Sequence, residues 1–94
     1  MRIGIYEHKA KKGLIRATVK VYDDTIEVKI TGDFMIFPED MIFQLENNLK
    51  GLKVSDREAI SRVVEDTLSK ASLFGCEVGD FKTAIFKALD EVSR

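Results

Sequence analysis

The sequence predicts a two-layer α+β domain, in which a small antiparallel sheet of two or three strands is covered on one face by about three helices. The main observation is that the spacing of apolar residues changes once, near Pro38, the only proline of the chain. Before Pro38 the apolar period is two, typical of strands with one buried face, and after it the period is near 3.6, typical of amphipathic helices. Since each element is apolar on one side only, the sheet and the helices must share one core.

Length and composition limit the class of protein. The chain has 94 residues, which favours one domain spanning residues 1–94. Its 15 basic and 16 acidic residues give a formal charge of −1, so nothing favours nucleic acid or an anionic membrane as a partner. A single cysteine and a single histidine argue against a disulfide framework and against a His/Cys zinc site. The longest apolar run, Phe34–Phe37, is too short for a membrane span, and we expect a cytoplasmic protein.

The first half of the chain predicts strands. Apolar and polar residues alternate in Leu14–Tyr22 and again in Thr25–Thr31, and the acidic pair between these segments is typical of a turn. This pattern predicts a β-hairpin with one buried face. A further short strand is predicted at Arg2–Tyr6, with the Lys-rich segment Glu7–Gly13 as its link to the hairpin.

The second half predicts three helices. The first begins at Pro38, which suits a first helical turn, and ends at Gly51. The second opens with a capping box over residues 55–58, in which Ser55 is the cap, and the third begins at about Asp80. The predicted buried stripes are Ile42, Leu45 and Leu49, then Ile60, Val63, Val64, Leu68 and Ala71, then Phe81, Ala84, Ile85, Ala88, Leu89 and Val92.

The chemistry of an independent enzyme is missing from the sequence. No glycine-rich phosphate loop is present, and Cys76 lies in an inter-helix turn without an activating neighbour, as expected of a turn or core thiol. A general base needs a positioned second group, and the sequence shows none for His8. We therefore predict no catalytic residue and no metal site, and expect a helper, binding or interaction domain.

Two segments nevertheless indicate function. In the first, Glu7–Leu14, the three lysines Lys9, Lys11 and Lys12 surround Gly13. A glycine with positive φ lets the backbone approach a ligand closely, and ammonium groups bind phosphate. The sequence alone favours the alternative, a solvated loop whose lysines protect a sheet edge from aggregation, because lysine clusters are common in loops.

The second segment is Gly32–Pro38. Strand alternation directs Phe34 and Ile36 to the core, and Met35 and Phe37 to the face that is polar upstream. Large apolar residues on a polar face favour a surface covered by a partner. The alternative is that the strand bends at its glycine, so that both side chains tuck under the first helix.

These segments, in this order, resemble the small accessory domain of lipoate–protein ligases over about half of the chain. In this family Gly precedes Lys in the loop, whereas Lys12 precedes Gly13 here, which leaves the family's lysine role open among Lys9, Lys11 and Lys12. Met35 stands where the family often has a second aromatic residue. The resemblance is carried by Lys9, Lys12-Gly13-Leu14-Ile15-Arg16, Gly32-Asp33-Phe34, Pro38-Glu39, Leu45-Glu46 and Leu49-Lys50-Gly51.

The resemblance implies a non-catalytic accessory subunit that forms a heterodimer with the catalytic subunit of a two-part lipoate–protein ligase. Such a ligase uses ATP to convert lipoate to lipoyl-adenylate and then transfers the lipoyl group to a lysine of an acceptor domain. The implied acceptors are lipoyl domains of 2-oxoacid dehydrogenases or the H protein of the glycine cleavage system. ATP, Mg and lipoate would be bound in the complex with the catalytic subunit and not by this chain alone. The accessory chain would be needed chiefly for the adenylation step.

We add a hypothesis about which residues contact the catalytic subunit. Asp33 and the lysine loop would order a loop of that subunit that closes over ATP and lipoate. Two alternatives remain: a small adaptor unrelated to lipoate that uses the Met35 and Phe37 face, or a nucleotide- or acyl-binding domain with the lysine loop as its anion site. The predicted site residues are Lys9, Lys12, Gly13, Gly32, Asp33, Phe34, Met35 and Phe37.

Overall fold

A computed structural model describes residues 1–92 and confirms the α+β class. None of the helices in this range is long and apolar enough to cross a membrane. Two antiparallel sheets are present, one of strands β1, β2 and β3 and a smaller one of β4 and β5. The elements are β1 Arg2–Ala10, β2 Gly13–Tyr22, β3 Thr25–Asp33, β4 Met35–Phe37, α1 Met41–Leu49, α2 Arg57–Leu68, β5 Ser72–Phe74 and α3 Val78–Val92.

The larger sheet has the order β1-β2-β3, with β2 in the centre. Both of its turns have two residues, Lys11 and Lys12 in the first, Asp23 and Asp24 in the second. The alternation predicted from the sequence is confirmed, because the same face of each strand is buried. The apolar residues buried on the inner face of β2 and β3 are Ile15, Ala17, Val19, Val21, Ile26, Val28 and Ile30.

Two of the three helices pack directly on the inner face of this sheet. Helix α3 packs on β1 and β2, α1 packs on β3, and α2 packs on both other helices. Glu46 of α1 accepts a hydrogen bond from the backbone N–H of Ile30 at 2.8 Å, which satisfies a donor on the open edge of β3. Asn48 donates to the hydroxyl of the buried Thr67 at 3.0 Å and thereby joins α1 to α2.

Several element boundaries differ from the sequence predictions. The segment predicted as a link continues β1 to Ala10, because His8 and Ala10 keep the inward alternation of the strand. Pro38 lies in a turn, in which its carbonyl oxygen accepts a hydrogen bond from the N–H of Met41. Helix α1 therefore begins at Met41, three residues later than predicted. The side chain that caps α2 belongs to Asp56 and not to Ser55, and α3 begins at Val78.

The smaller sheet was not predicted. Strand β4 pairs with β5 in the register Met35–Phe74, Ile36–Leu73 and Phe37–Ser72. The inner residues Ile36 and Leu73 are half-buried and pack against the core. Strand β4 follows β3 after the single residue Phe34, and the groove described next lies at this junction.

Candidate partner-binding groove

An open groove of about 700 Å³ lies where the two sheets meet. It is formed by three segments that are distant in the sequence: the β1–β2 turn, the β3–β4 junction and the end of β5. The structure therefore brings together most of the site residues predicted from the sequence. It adds the β5 segment, which was not predicted. The lining residues are Lys12, Gly13, Asp33, Phe34, Met35, Leu73, Phe74 and Gly75.

The β1–β2 turn forms one wall of the groove. The backbone N–H of Lys12 donates to the carbonyl oxygen of Gly75 at 2.7 Å. Gly75 has a φ of 75°, and a Cβ atom there would overlap the side chain of Lys12. Gly13 has a φ of 126°, and a Cβ atom there would overlap the carbonyl oxygen of Asp33. Both glycines are thus required by backbone conformation and by close packing.

The β3–β4 junction is fixed by Phe34. Its ring is half-buried and meets the ring of Phe81 edge to face, with 5.3 Å between the centroids. Phe81 is fully buried in α3. Since such aromatic pairs add stability beyond area burial, this contact holds the junction against α3 and keeps the floor of the groove in place.

An apolar patch adjoins the groove on the outer face of β4 and β5. We define it as Met35, Phe37 and Phe74, whose exposed fractions are 69%, 68% and 53%. The alternation predicted for Gly32–Pro38 is confirmed, and the alternative in which Met35 and Phe37 tuck under the first helix is wrong. Phe74 was missed, because a segment as short as β5 has no readable period.

Two charged side chains border the groove. Lys12 and Asp33 are exposed, and within residues 1–92 neither forms an ion pair. Lys9 is exposed on the solvent face of the sheet, opposite Leu14, and does not line the groove. Gly32 also lies outside the groove; its φ of 134° lets β3 pass close to the backbone of Leu14.

A polar pair beside the groove was not foreseen. His8 Nε2 lies 2.8 Å from Asp80 Oδ1, and the two side chains are 22% and 23% exposed. Asp80 Oδ2 accepts from the backbone N–H of Glu77 at 2.7 Å. The hydrogen bond from His8 holds the pKa of Asp80 below its ordinary value. The prediction that His8 has no positioned second group is therefore wrong, since its partner lies 72 residues away in the sequence.

Cys76 lies between the groove and α3. It is buried among core residues, and burial raises the pKa of its thiol, so the interpretation as a core thiol is confirmed. Within residues 1–92 no group of three or more His, Cys, Asp or Glu side chains is arranged to hold a metal ion.

A second depression, of about 270 Å³, lies between α1 and the solvent face of β2 and β3. It contains none of the predicted site residues. Its lysines Lys20, Lys29 and Lys50 are interspersed with Glu27 and Glu46, so the charge is mixed. The first groove, with its adjoining apolar patch, is the better candidate for a protein interface.

Comparison with known proteins assigns the fold to a class. Residues 5–85 match the family described as the C-terminus of bacterial lipoate protein ligase. The chain belongs to this family, and the resemblance found in the sequence is confirmed.

A relative and a solved structure, both from Thermoplasma acidophilum, match most of this chain. The chain is 39% identical over 79 residues to lipoate-protein ligase A subunit 2 of Thermoplasma acidophilum, covering 82% of this chain and 81% of that one. A solved structure of an archaeal lipoylation system from the same organism, a bipartite lipoate protein ligase and its E2 lipoyl domain, matches with a TM-score of 0.79 and 37% identity. That match covers 89% of this chain and 96% of the other.

Proposed function

We propose that this chain is the accessory subunit of a bipartite lipoate–protein ligase and is needed when a separate catalytic subunit converts lipoate and ATP to lipoyl-adenylate and pyrophosphate. The proposal is supported by the relative that is named subunit 2 of a lipoate-protein ligase and by the matching structure of a bipartite ligase. The observation that carries it is the groove, where an exposed apolar patch lies next to the exposed charged side chains of Lys12 and Asp33.

The apolar patch supplies the contact area for the catalytic subunit. Aromatic residues and methionine are enriched in the cores of protein interfaces, and a few such residues carry most of the binding energy. Phe37, Phe74 and Met35 are held at fixed spacing by the β4–β5 pairing, so they are ordered before binding and lose little freedom on docking. We expect a stable heterodimer, with roughly 800 Å² buried on each partner.

The charged border of the groove acts on the partner's site. In this proposal, docking of the patch brings Lys12 and Asp33 against a loop of the catalytic subunit and orders that loop over ATP and lipoate. Closure excludes water and assembles the groups that stabilise the developing phosphoryl charge. The catalytic subunit binds ATP, Mg and lipoate, and no residue of this chain is assigned to chemistry.

The later transfer step does not depend on this groove. Once lipoyl-adenylate has formed, the lipoyl group passes to a lysine of the acceptor domain without a need for closure over ATP. The proposed acceptors are lipoyl domains of 2-oxoacid dehydrogenases or the H protein of the glycine cleavage system. We place the heterodimer in the cytoplasm, which the single free cysteine favours.

The experiment separates the two half-reactions. Adenylate formation is measured as pyrophosphate release by the catalytic subunit, and transfer is measured from pre-made lipoyl-adenylate to an acceptor domain. Asp33→Ala and Phe34→Ala should reduce adenylate formation and leave transfer unchanged, whereas Asp66→Ala, on the exposed side of α2, should change neither. An equal loss in both half-reactions would contradict the closure mechanism.

A further inference from the structure

The two walls of the groove come from opposite ends of the chain. One wall is the β1–β2 turn with Lys12, and the other is the end of β5 with Phe74 and Gly75. The second wall is joined to α3 only by the irregular residues 75–77. Its position therefore depends on the side chains that hold this short segment.

Asp80 holds this segment from two sides. Its Oδ2 accepts the N–H of Glu77 and so fixes the start of α3, while its Oδ1 is bound by His8 on β1. Because a carboxylate only accepts hydrogen bonds, the Nε2–H of His8 is the donor. One carboxylate thus ties residues 75–77 to the strand that leads into the Lys12 turn.

The direct contact between the walls is weak by itself. It consists of the hydrogen bond from the Lys12 N–H to the Gly75 carbonyl, at a two-residue turn that is otherwise exposed. Exposed backbone hydrogen bonds at turns open readily when nothing else orders their surroundings. Asp80 binds the same segment at its other end, through the N–H of Glu77.

We propose that His8 and Asp80 are a positioning pair that holds the two groove walls at the spacing required by the catalytic subunit, and so sets the affinity of the heterodimer. Neither residue lines the groove, so they act through Lys12 and Gly75. This inference rests on the proposed function for the identity of the partner. The arrangement of the walls, however, is a property of the isolated chain and is tested separately.

The lowered pKa of Asp80 is consistent with this role. The carboxylate is charged at neutral pH, which makes the bond from His8 charge-assisted and stronger than a bond between neutral groups. The same charge contributes to the raised pKa of Cys76, which places Asp80 close to the segment that it orders.

The test compares His8→Ala with His8→Gln and with a matched control. Glutamine offers an amide N–H to Asp80, so His8→Gln should restore what His8→Ala removes. The control is Arg57→Ala, which breaks a 2.7 Å ion pair with Asp90 near the other end of α3. It perturbs the same helix without touching the groove.

Two quantities are measured. In the isolated chain, His8→Ala should speed hydrogen exchange of the Lys12 and Glu77 amides about tenfold, and in the complex it should raise the Kd for the catalytic subunit by about the same factor. His8→Gln should recover most of both effects, and Arg57→Ala should show neither.

Unchanged exchange and unchanged Kd in His8→Ala would overturn the positioning role. Equal effects of His8→Ala and Arg57→Ala would also overturn it, because they would reveal general destabilisation of α3. If the wild-type chain does not bind the catalytic subunit at all, the proposed function fails, and the exchange rates alone decide whether His8 and Asp80 hold the walls together.

Discussion

Lys12 donates its backbone N–H to the carbonyl oxygen of Gly75 across 2.7 Å, and this bond joins the β1–β2 turn to the end of β5. It places a lysine next to Phe74 and the rest of the apolar patch. The candidate interface therefore depends on a contact between segments that are far apart in the sequence.

Substitution of Gly75 tests this contact. Gly75→Ala should lower the free energy of unfolding by more than about 1 kcal/mol, because alanine disfavours the φ of 75° and its Cβ would overlap Lys12. The matched control is Gly79→Ala, a position in α3 where a Cβ meets no atom within 4 Å. The control should be neutral or slightly stabilising in urea denaturation, and equal losses in the two variants would contradict the assignment.

The apolar patch provides a second prediction. Phe37→Ser should leave the free energy of unfolding within about 0.5 kcal/mol of wild type, because the ring is exposed, but should weaken binding of the catalytic subunit by about 2 kcal/mol. Phe43→Ser is the matched control, since Phe43 is 67% exposed and lies on α1 outside the patch. Isothermal titration of both variants checks this; an equal loss of affinity would show that the patch has no special role.

The two lysines of the β1–β2 turn differ in position, and this difference gives a prediction about which of them acts on the partner. Lys12 lines the groove and Lys11 does not. Lys12→Ala should slow adenylate formation by roughly fivefold to tenfold, with a loss that shrinks at high salt, as expected of an exposed charge contact worth about 1 kcal/mol. Lys11→Ala should behave as wild type, and the reverse order of effects would assign the role to Lys11.

The pKa of Asp80 gives a prediction about acid stability. His8 lowers this pKa in the folded chain, so the pair stabilises the fold above the pKa of an unfolded aspartate, near 3.9, and the stabilisation is lost as the pH falls through the lower, folded value. In His8→Ala the pKa of Asp80 should rise, as observed by NMR titration of its carboxyl carbon. The wild-type chain should then lose more stability than His8→Ala between pH 4 and acid unfolding. An unchanged pKa would show that His8 is not the dominant cause.

Most of the fold was predictable because the spacing of apolar residues in each segment agrees with the element that the segment forms. Alternation revealed β2 and β3, the 3.6 period revealed the helices, and continued strand parity placed Met35 and Phe37 on the outer face. The end of β1 was missed because His8 is polar yet points inward, where it is satisfied by Asp80.

The rest depends on contacts between distant segments. Strand β5 has too few residues to show a period, and it pairs with β4, from which α1 and α2 separate it in the sequence. No spacing rule links His8 to Asp80. An aspartate near the start of α3 is already explained by its local hydrogen bond from the Glu77 N–H. The residues that the β1–β2 turn and the β3–β4 junction supply to the groove could thus be predicted from the sequence, whereas the wall formed by β5 could not.

The most direct test of the account is the rate of lipoyl-adenylate formation by the catalytic subunit with and without this chain, measured beside the rate of transfer from pre-made lipoyl-adenylate. The account predicts that omission of the chain abolishes adenylate formation and leaves transfer intact. A catalytic subunit that forms lipoyl-adenylate equally fast alone would contradict it.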